Sequence, residues 1–259
     1  MNYALITGAS KGIGKAIAIE LAKKNIPLVL IARNESLLQQ LSADIQLTYK
    51  VDVHYLAIDL SLTNAAETIL HWLKTKNLAI YVLVNNAGYG LSGTIEAYSL
   101  AEHYAMMQVN MQTPVALTYL LLPELKQQNK AFILNIASAA AYQSVPGLNI
   151  YAATKAFMLS FSRGLTYELR NTNISVTSVA PGATDTDFAN RANVNGAKAK
   201  KMAAQFNMQP SNVARIAVNA MFAQKTEIVA GFVNQLSVFA AWLLPKKWLE
   251  KSAASIYDL

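Results

Sequence analysis

Tyr3-Ala4-Leu5-Ile6-Thr7-Gly8-Ala9-Ser10-Lys11-Gly12-Ile13-Gly14 reads as an apolar strand-length run, a glycine-rich turn and the start of a helix. Glycines admit positive φ and let backbone amides approach an anion, while the helix N-terminus adds positive partial charge. The plain alternative is an ordinary tight βα turn. The turn stands at the first βα junction of an α/β alternation. That makes Gly8, Ser10, Lys11, Gly12, Ile13 and Gly14 candidate contacts for a dinucleotide pyrophosphate.

Outward from this turn the pattern repeats. Apolar runs at residues 3–7, 28–32, 51–58, 81–85, 131–137, 174–180 and 228–233 alternate with helix-like stretches such as 15–24. Buried runs separated by helices indicate a parallel sheet covered on both faces. We therefore expect an α/β chain with a three-layer, doubly wound Rossmann fold and a mostly parallel seven-stranded sheet, in one domain over residues 1–259. Asn64 with Glu67, and Ser99 with Glu102, have capping-box spacing, and Asn34 is placed to cap the helix after the second strand. Only residues 183–224 break the alternation, with room for two helices.

Composition narrows the chemistry. The 259 residues include no cysteine and three scattered histidines, which excludes disulfides and thiolate chemistry and argues against a metal site. Residues 1–185 carry 13 basic and 11 acidic side chains, and 186–259 carry 9 and 4, so +5 of the +7 net charge lies in the last third. Such a basic end suits a nucleic acid, an anionic membrane surface or plain water; we expect no nucleic-acid partner. Neither a secretion leader nor a transmembrane span is legible, so a cytoplasmic protein is expected.

The end of the second strand discriminates between nucleotides. A carboxylate there would accept from a ribose 2′-OH and repel a 2′-phosphate. Here Leu30-Ile31-Ala32-Arg33-Asn34 offers none, and Arg33 is a planar donor suited to phosphate, with Lys11 a second cation. This favours NADP(H) as cofactor. Asp59, followed by Leu60, is a candidate acceptor for the adenine amino group, or simply a turn aspartate.

Tyr151 and Lys155 are four residues apart, hence on one face of a helix. A tyrosine ionises near ~10, and an adjacent ammonium favours its phenolate. Lowering that pKa by ~3 units takes roughly 4 kcal/mol. Tyr151 then suits proton exchange with a carbonyl oxygen. Ser138, at the end of the fifth strand, can hydrogen-bond the same oxygen but has no neighbouring base to make it a nucleophile.

With Thr7 to Gly14, Asn85-Asn86-Ala87-Gly88, Asn110, Ser138, Tyr151/Lys155 and Pro181-Gly182 in this order, the chain resembles a short-chain dehydrogenase/reductase over nearly its whole length. The resemblance implies an NADP(H)-preferring enzyme. Asn86, Ala87 and Gly88 would steady the sheet and border the cofactor. Asn110 would hold a helix kink in a proton relay, and Ser138 would orient the substrate. Tyr151 would be the general acid/base, and Lys155 would bind the nicotinamide ribose. Pro181, Gly182, Thr184 and Thr186 would contact the nicotinamide and phosphates. It also implies a homodimer or homotetramer through helices near 102–125 and 151–170.

The substrate is left to irregular segments. A lid is expected at about 185–207, with Phe188 and Met202 as apolar contacts, and Tyr89, Leu91, Tyr142, Gln143 and Val145 opposite. Of these, Gln143 and Phe188 join Ser138 and Tyr151 as the substrate-binding candidates. They favour a medium-sized or lipophilic carbonyl compound. A C-terminal extension at about 236–259, with Trp242 and Trp248 beside Lys246 and Lys247, would cover the pocket, meet another subunit or touch a membrane. A dinucleotide-binding regulator without turnover and a membrane-surface reductase of a lipid-like carbonyl are the competing readings.

Overall fold

The computed structural model describes residues 2–192 and 207–257. Strands β1 (Asn2–Thr7), β2 (Leu28–Ala32), β3 (Val53–Ala57), β4 (Ala79–Asn85), β5 (Ala131–Ile136), β6 (Ile174–Pro181) and β7 (Glu227–Ala230) form one sheet in the order β3-β2-β1-β4-β5-β6-β7. Every pairing is parallel. The chain reverses its direction of travel across the sheet between β1 and β4, the switch point at which open α/β sheets bind ligands.

Helices cover both faces. On one lie α1 (Gly12–Ala22), α2 (Glu35–Tyr49) and, later in the chain, Pro210–Phe222; on the other lie α3 (Ala65–Thr75), α5 (Thr113–Gln127) and α6 (Asn149–Glu168), with α4 (Leu100–Met107) leading into α5. Ile6 joins the cluster with Ile17, Leu21, Leu38 and Met221, whereas its neighbour Leu5 joins the one with Ile69, Leu117 and Leu165. Successive side chains on a strand point to opposite faces, so a strand buried on both must be apolar throughout. After α6 come the short α7 (Phe188–Arg191), α8 (Pro210–Phe222), α9 (Phe232–Leu243) and α10 (Lys246–Ile256).

Several expectations shift. The last strand ends at Ala230 rather than 233, because Gly231 at φ +87 turns the chain into α9. Asn34 caps α2, its Oδ1 accepting from the Leu37 amide at 2.9 Å. Ser99 and Glu102 make both bonds of the capping box. Asn64 makes no cap: at ψ 14 it lacks the extended backbone that aims a cap oxygen at the helix amides. The helix expected at 102–125 is two helices joined by a π turn at Gln108–Gln112. Both α7 and α8 fall in the 183–224 interval; residues 193–206, with most of the expected lid and Met202, lie outside the described residues.

A buried polar chain ties the sheet to α6. Asn85 Nδ2 donates to Asn135 Oδ1 at 2.9 Å, and Asn135 Nδ2 donates to Ser162 Oγ at 2.9 Å. Buried polar atoms cost about 1–3 kcal/mol each when unpaired, so this chain fixes how α6 lies on β4 and β5.

The C-terminal extension is two consecutive helices, α9 and α10, joined by a sharp turn at Leu244-Pro245. Ala241 of α9 is buried, while Phe232 (72% exposed), Leu236, Phe239, Trp242 (77% exposed) and Leu243 face outward with Trp248 of α10. Among the described residues no helix is long and apolar enough to cross a membrane.

Candidate active site

The strand ends β1, β4, β5 and β6 bring the expected site residues to one edge of the sheet. Gly8 and Gly12 take φ +66 and +56, and the N-cap of α1, Lys11, makes no side-chain bond to the first helical amides. These amides are therefore left to a ligand or water. A Cβ on Gly14 would overlap the Gly8 carbonyl oxygen, so α1 is pressed directly onto its own turn. The geometry fits a pyrophosphate held by backbone amides.

Thr7 locks the neighbouring segment in place. Its Oγ1 donates to the Val84 carbonyl at 3.2 Å and accepts from the Asn86 and Ala87 amides at 3.0 and 3.1 Å. Asn86 Nδ2 returns a bond to the Thr7 carbonyl at 2.8 Å. Sequence reasoning quoted Thr7 only as part of the motif; its role as a cross-strand clamp follows from β1 and β4 being neighbours. Opposite, Thr186 covers the turn, its methyl 3.0 Å from where a Gly12 Cβ would stand. Thr184 Oγ1 donates to the Gly182 carbonyl at 3.0 Å. Gly182 itself, next to Pro181, is sealed by Asn234 of α9, whose amide a Cβ at 182 would overlap.

The two cations expected at the 2′-phosphate, Lys11 in the turn and Arg33 after β2, are exposed. Arg33 NH1 is 3.9 Å from Asp59 Oδ2, and Lys11 Nζ is 3.4 Å from Asp187. Asp59 Oδ1 also accepts from the Ser61 amide at 2.9 Å, the geometry of a turn aspartate. Leu60 is buried, its carbonyl accepting from Thr113 Oγ1 at 2.8 Å. Exposed ion pairs are weak, so a phosphate could draw both cations away at little cost.

Asn110 lies in the π turn and reaches three ways. Its Oδ1 accepts from the Tyr89 amide at 3.1 Å, and its Nδ2 donates to the Tyr89 carbonyl at 2.9 Å and to Thr154 Oγ1 at 3.0 Å. A Cβ on Gly88 would lie 3.1 Å from both Asn110 Oδ1 and Lys155 Nζ, so these three residues converge. Thr154, beside Lys155, was not legible as a site residue; it supplies the hydroxyl that joins α6 to the π turn.

Ser138 follows β5. Its Oγ accepts from the Ala140 amide at 3.1 Å and hydrogen-bonds Tyr151. Tyr151 and Lys155 are buried on α6, with Lys155 Nζ 5.8 Å from the Tyr151 ring centroid and donating to the Ile136 carbonyl at 2.9 Å. Burial dominates their ionisation. It pushes Tyr151 up to about 12, against the lowering from Ser138, and pulls Lys155 down to about 8. In the protein alone desolvation thus outweighs the ammonium effect expected from spacing.

On the substrate side, the Phe188 ring lies 5.1 Å from the Tyr151 ring. Tyr89 and Leu91 pack against the same cluster. Gln143 and Val145 line a cavity of about 180 Å³. Tyr142 turns elsewhere: its hydroxyl donates to Glu227, which Arg163 also holds. Among the described residues no three His, Cys, Asp or Glu side chains cluster as metal ligands.

Comparison with known proteins identifies the family. The short chain dehydrogenase family model matches residues 2–197. A very-long-chain 3-oxoacyl-CoA reductase of Mus musculus is 36% identical over 199 residues, 73% of this chain and 61% of the relative. An uncharacterized oxidoreductase of Staphylococcus saprophyticus is 32% identical over 220 residues, 85% of this chain and 91% of the relative. A short-chain dehydrogenase from Sphingobium yanoikuyae, solved in complex with NADPH, superposes with a TM-score of 0.82 at 27% identity, covering 100% of this chain and 95% of that one. The chain spans 55% to 61% of the length of the vertebrate relatives first matched. A matched region of this extent, on a parallel seven-stranded sheet that gathers the same motifs at one edge, makes the chain a member of the short-chain dehydrogenase family.

Proposed function

We propose that the protein is an NADP(H)-dependent oxidoreductase that interconverts a carbonyl and an alcohol, in one domain with its substrate lid near 185–207. The observation that carries this reading is the convergence of buried Asn110 and Lys155 beside Gly88, with buried Tyr151 on the same helix face as Lys155 and Ser138 next to Tyr151. The nucleotide, when bound, supplies or accepts the hydride. Ser138 and Tyr151 hold the carbonyl oxygen by hydrogen bonds. Tyr151, protonated at neutral pH because burial raises its pKa, donates its proton as charge develops on that oxygen. Lys155 holds the ribose and, with the Asn110 segment, returns a proton from solvent. A protonated phenol suits the reductive direction.

Three sets of residues would hold the nucleotide. The glycine turn from Gly8 to Gly14 takes the pyrophosphate. Asn86 to Gly88 border the rings, and Pro181 to Thr186 meet the nicotinamide. Arg33 and Lys11, with no acid at position 32, support NADP(H). Arg33→Ala should raise the NADPH KM by roughly tenfold or more, the loss of charge-assisted bonds of about 1.5–3 kcal/mol, and leave the NADH KM within about twofold. Equal changes in steady-state KM for both nucleotides would reject the preference.

Apolar neighbours of Tyr151 support a lipophilic carbonyl substrate, as does the mouse relative's name. A panel of carbonyls and alcohols followed at the NADPH absorbance tests the whole reading; binding of NADPH without any turnover would leave a regulator instead. Exposed Tyr119, Phe157 and Tyr167 on α5 and α6 support a homodimer or homotetramer through these helices.

The outward stripe of α9 favours a second reading, peripheral contact with an anionic bilayer. Exposed Trp242 and Trp248 flank Lys246 and Lys247, with Lys251 following, the arrangement of an interfacial helix. Vesicles containing anionic phospholipid should pellet the protein, and replacing Phe239, Trp242 and Trp248 with Ser should abolish pelleting. Failure of the unaltered protein to pellet would remove this reading.

A further inference from the structure

The last helix returns to the catalytic pocket. Ala253 of α10 is buried in the cluster that contains Tyr151, Val145 and Leu148, and Tyr257 packs against it. Gly147, at φ +83, is bare where Tyr257 crosses it, since a Cβ there would overlap the Tyr257 Cβ. The Tyr257 ring is therefore seated on the loop that precedes α6. Gln143 and Val145 from the loop after β5, and Val238, Ala241, Ile256 and Tyr257 from the C-terminal extension, line one cavity of about 180 Å³.

The two tyrosines are near enough to interact, for a charge on Tyr257 raises the pKa of Tyr151. Burial pushes Tyr257 up to about 12, with no hydrogen-bonding side chain contributing, so its phenol is a neutral donor at pH 7. Tyr257 is half-buried, and a phenol joins an apolar ring to a polar tip that takes a hydrogen bond where one is offered. The wall around it is apolar except for the Gln143 amide and Ser237.

We propose that the Tyr257 hydroxyl, with the Gln143 amide, anchors a second polar group on an otherwise apolar carbonyl compound whose carbonyl meets Tyr151. The substrate class is thus a compact apolar ketone carrying a hydroxyl or oxo group distant from the reacting carbon. The proposal rests on the oxidoreductase reading and deepens it.

The test compares decalone with a decalone hydroxylated on the distal ring, using NADPH. The wild type should show the lower KM for the hydroxylated ketone. Tyr257→Phe keeps the ring on Gly147 and should leave Tm, NADPH affinity and both kcat values near the wild type. It should raise the KM for the hydroxylated ketone about tenfold, the worth of one hydrogen bond, and leave that for decalone within about twofold. Gln143→Ala should act in the same sense. A KM ratio that Tyr257→Phe leaves unchanged, or a wild type without preference for the hydroxylated ketone, overturns the proposal. Reduction of other carbonyls but neither decalone also overturns it alone, whereas no turnover across the carbonyl panel overturns the oxidoreductase reading with it.

Discussion

Tyr151→Phe should bind NADPH as tightly as the wild type and reduce ketones on the order of a thousandfold more slowly. The phenylalanine ring fills the same space against Leu148, Ala152 and Phe188, so the pocket keeps its shape. What is removed is one hydroxyl, bonded to Ser138. General acid catalysis contributes typically 10²–10⁴-fold, and the remaining hydroxyl of Ser138 is too weak an acid to replace it. Steady-state rates and nucleotide titration by fluorescence separate the two effects. Turnover within tenfold of the wild type would remove Tyr151 from the proton path; a large loss of NADPH affinity would mean that it acts on the nucleotide instead.

Gly14→Ala carries the other large effect, and it falls on folding and nucleotide binding together. The added methyl would meet the Gly8 carbonyl oxygen and the Asn86 amide. Both are backbone-anchored, for Asn86 is held by Thr7 on the adjacent strand. Relief requires α1 to lift from its turn. That breaks the packing of Ile17 and Leu21 against the sheet and spoils the amide cradle at once. Overpacking of this kind costs about 1–3 kcal/mol or more, which in a chain of this size lowers Tm by roughly 2–4 °C per kcal/mol. We expect a Tm fall of about 5–10 °C in calorimetry and loss of measurable NADPH binding. An unshifted Tm with normal affinity would mean that α1 does not press on the turn.

Much of this was legible because its signals are local. The seven strands of a doubly wound parallel sheet follow from apolar runs with βα spacing, and the glycine turn, the Tyr151/Lys155 pair and Arg33 each stand out within a few residues; the order of the strands did not. What escaped is what depends on contacts between distant segments. Thr7 acts on Asn86, 79 positions away, and Thr154 acts on Asn110. Asn64 looked like Asn34 in sequence, but the backbone dihedrals that decide a cap are fixed by the turn before it. Tyr142 looked like a pocket residue until Glu227, on the edge strand, drew its hydroxyl away. The Lys155 effect on Tyr151 was read from spacing, whereas burial, which no four-residue spacing reports, sets the ionisation of both.

The seal between Asn234 and Gly182 ties the chain's tail to the end of β6. A side chain at 182 has no room while asparagine stands at 234, and Asn234 is itself pinned by its 2.7 Å bond to the Ala230 carbonyl. The two positions are thus one unit of heritable change. A drifting lineage can enlarge residue 182 only after shrinking residue 234, and a C-terminal extension transplanted from a distant relative brings its own rule for the strand end it must fit.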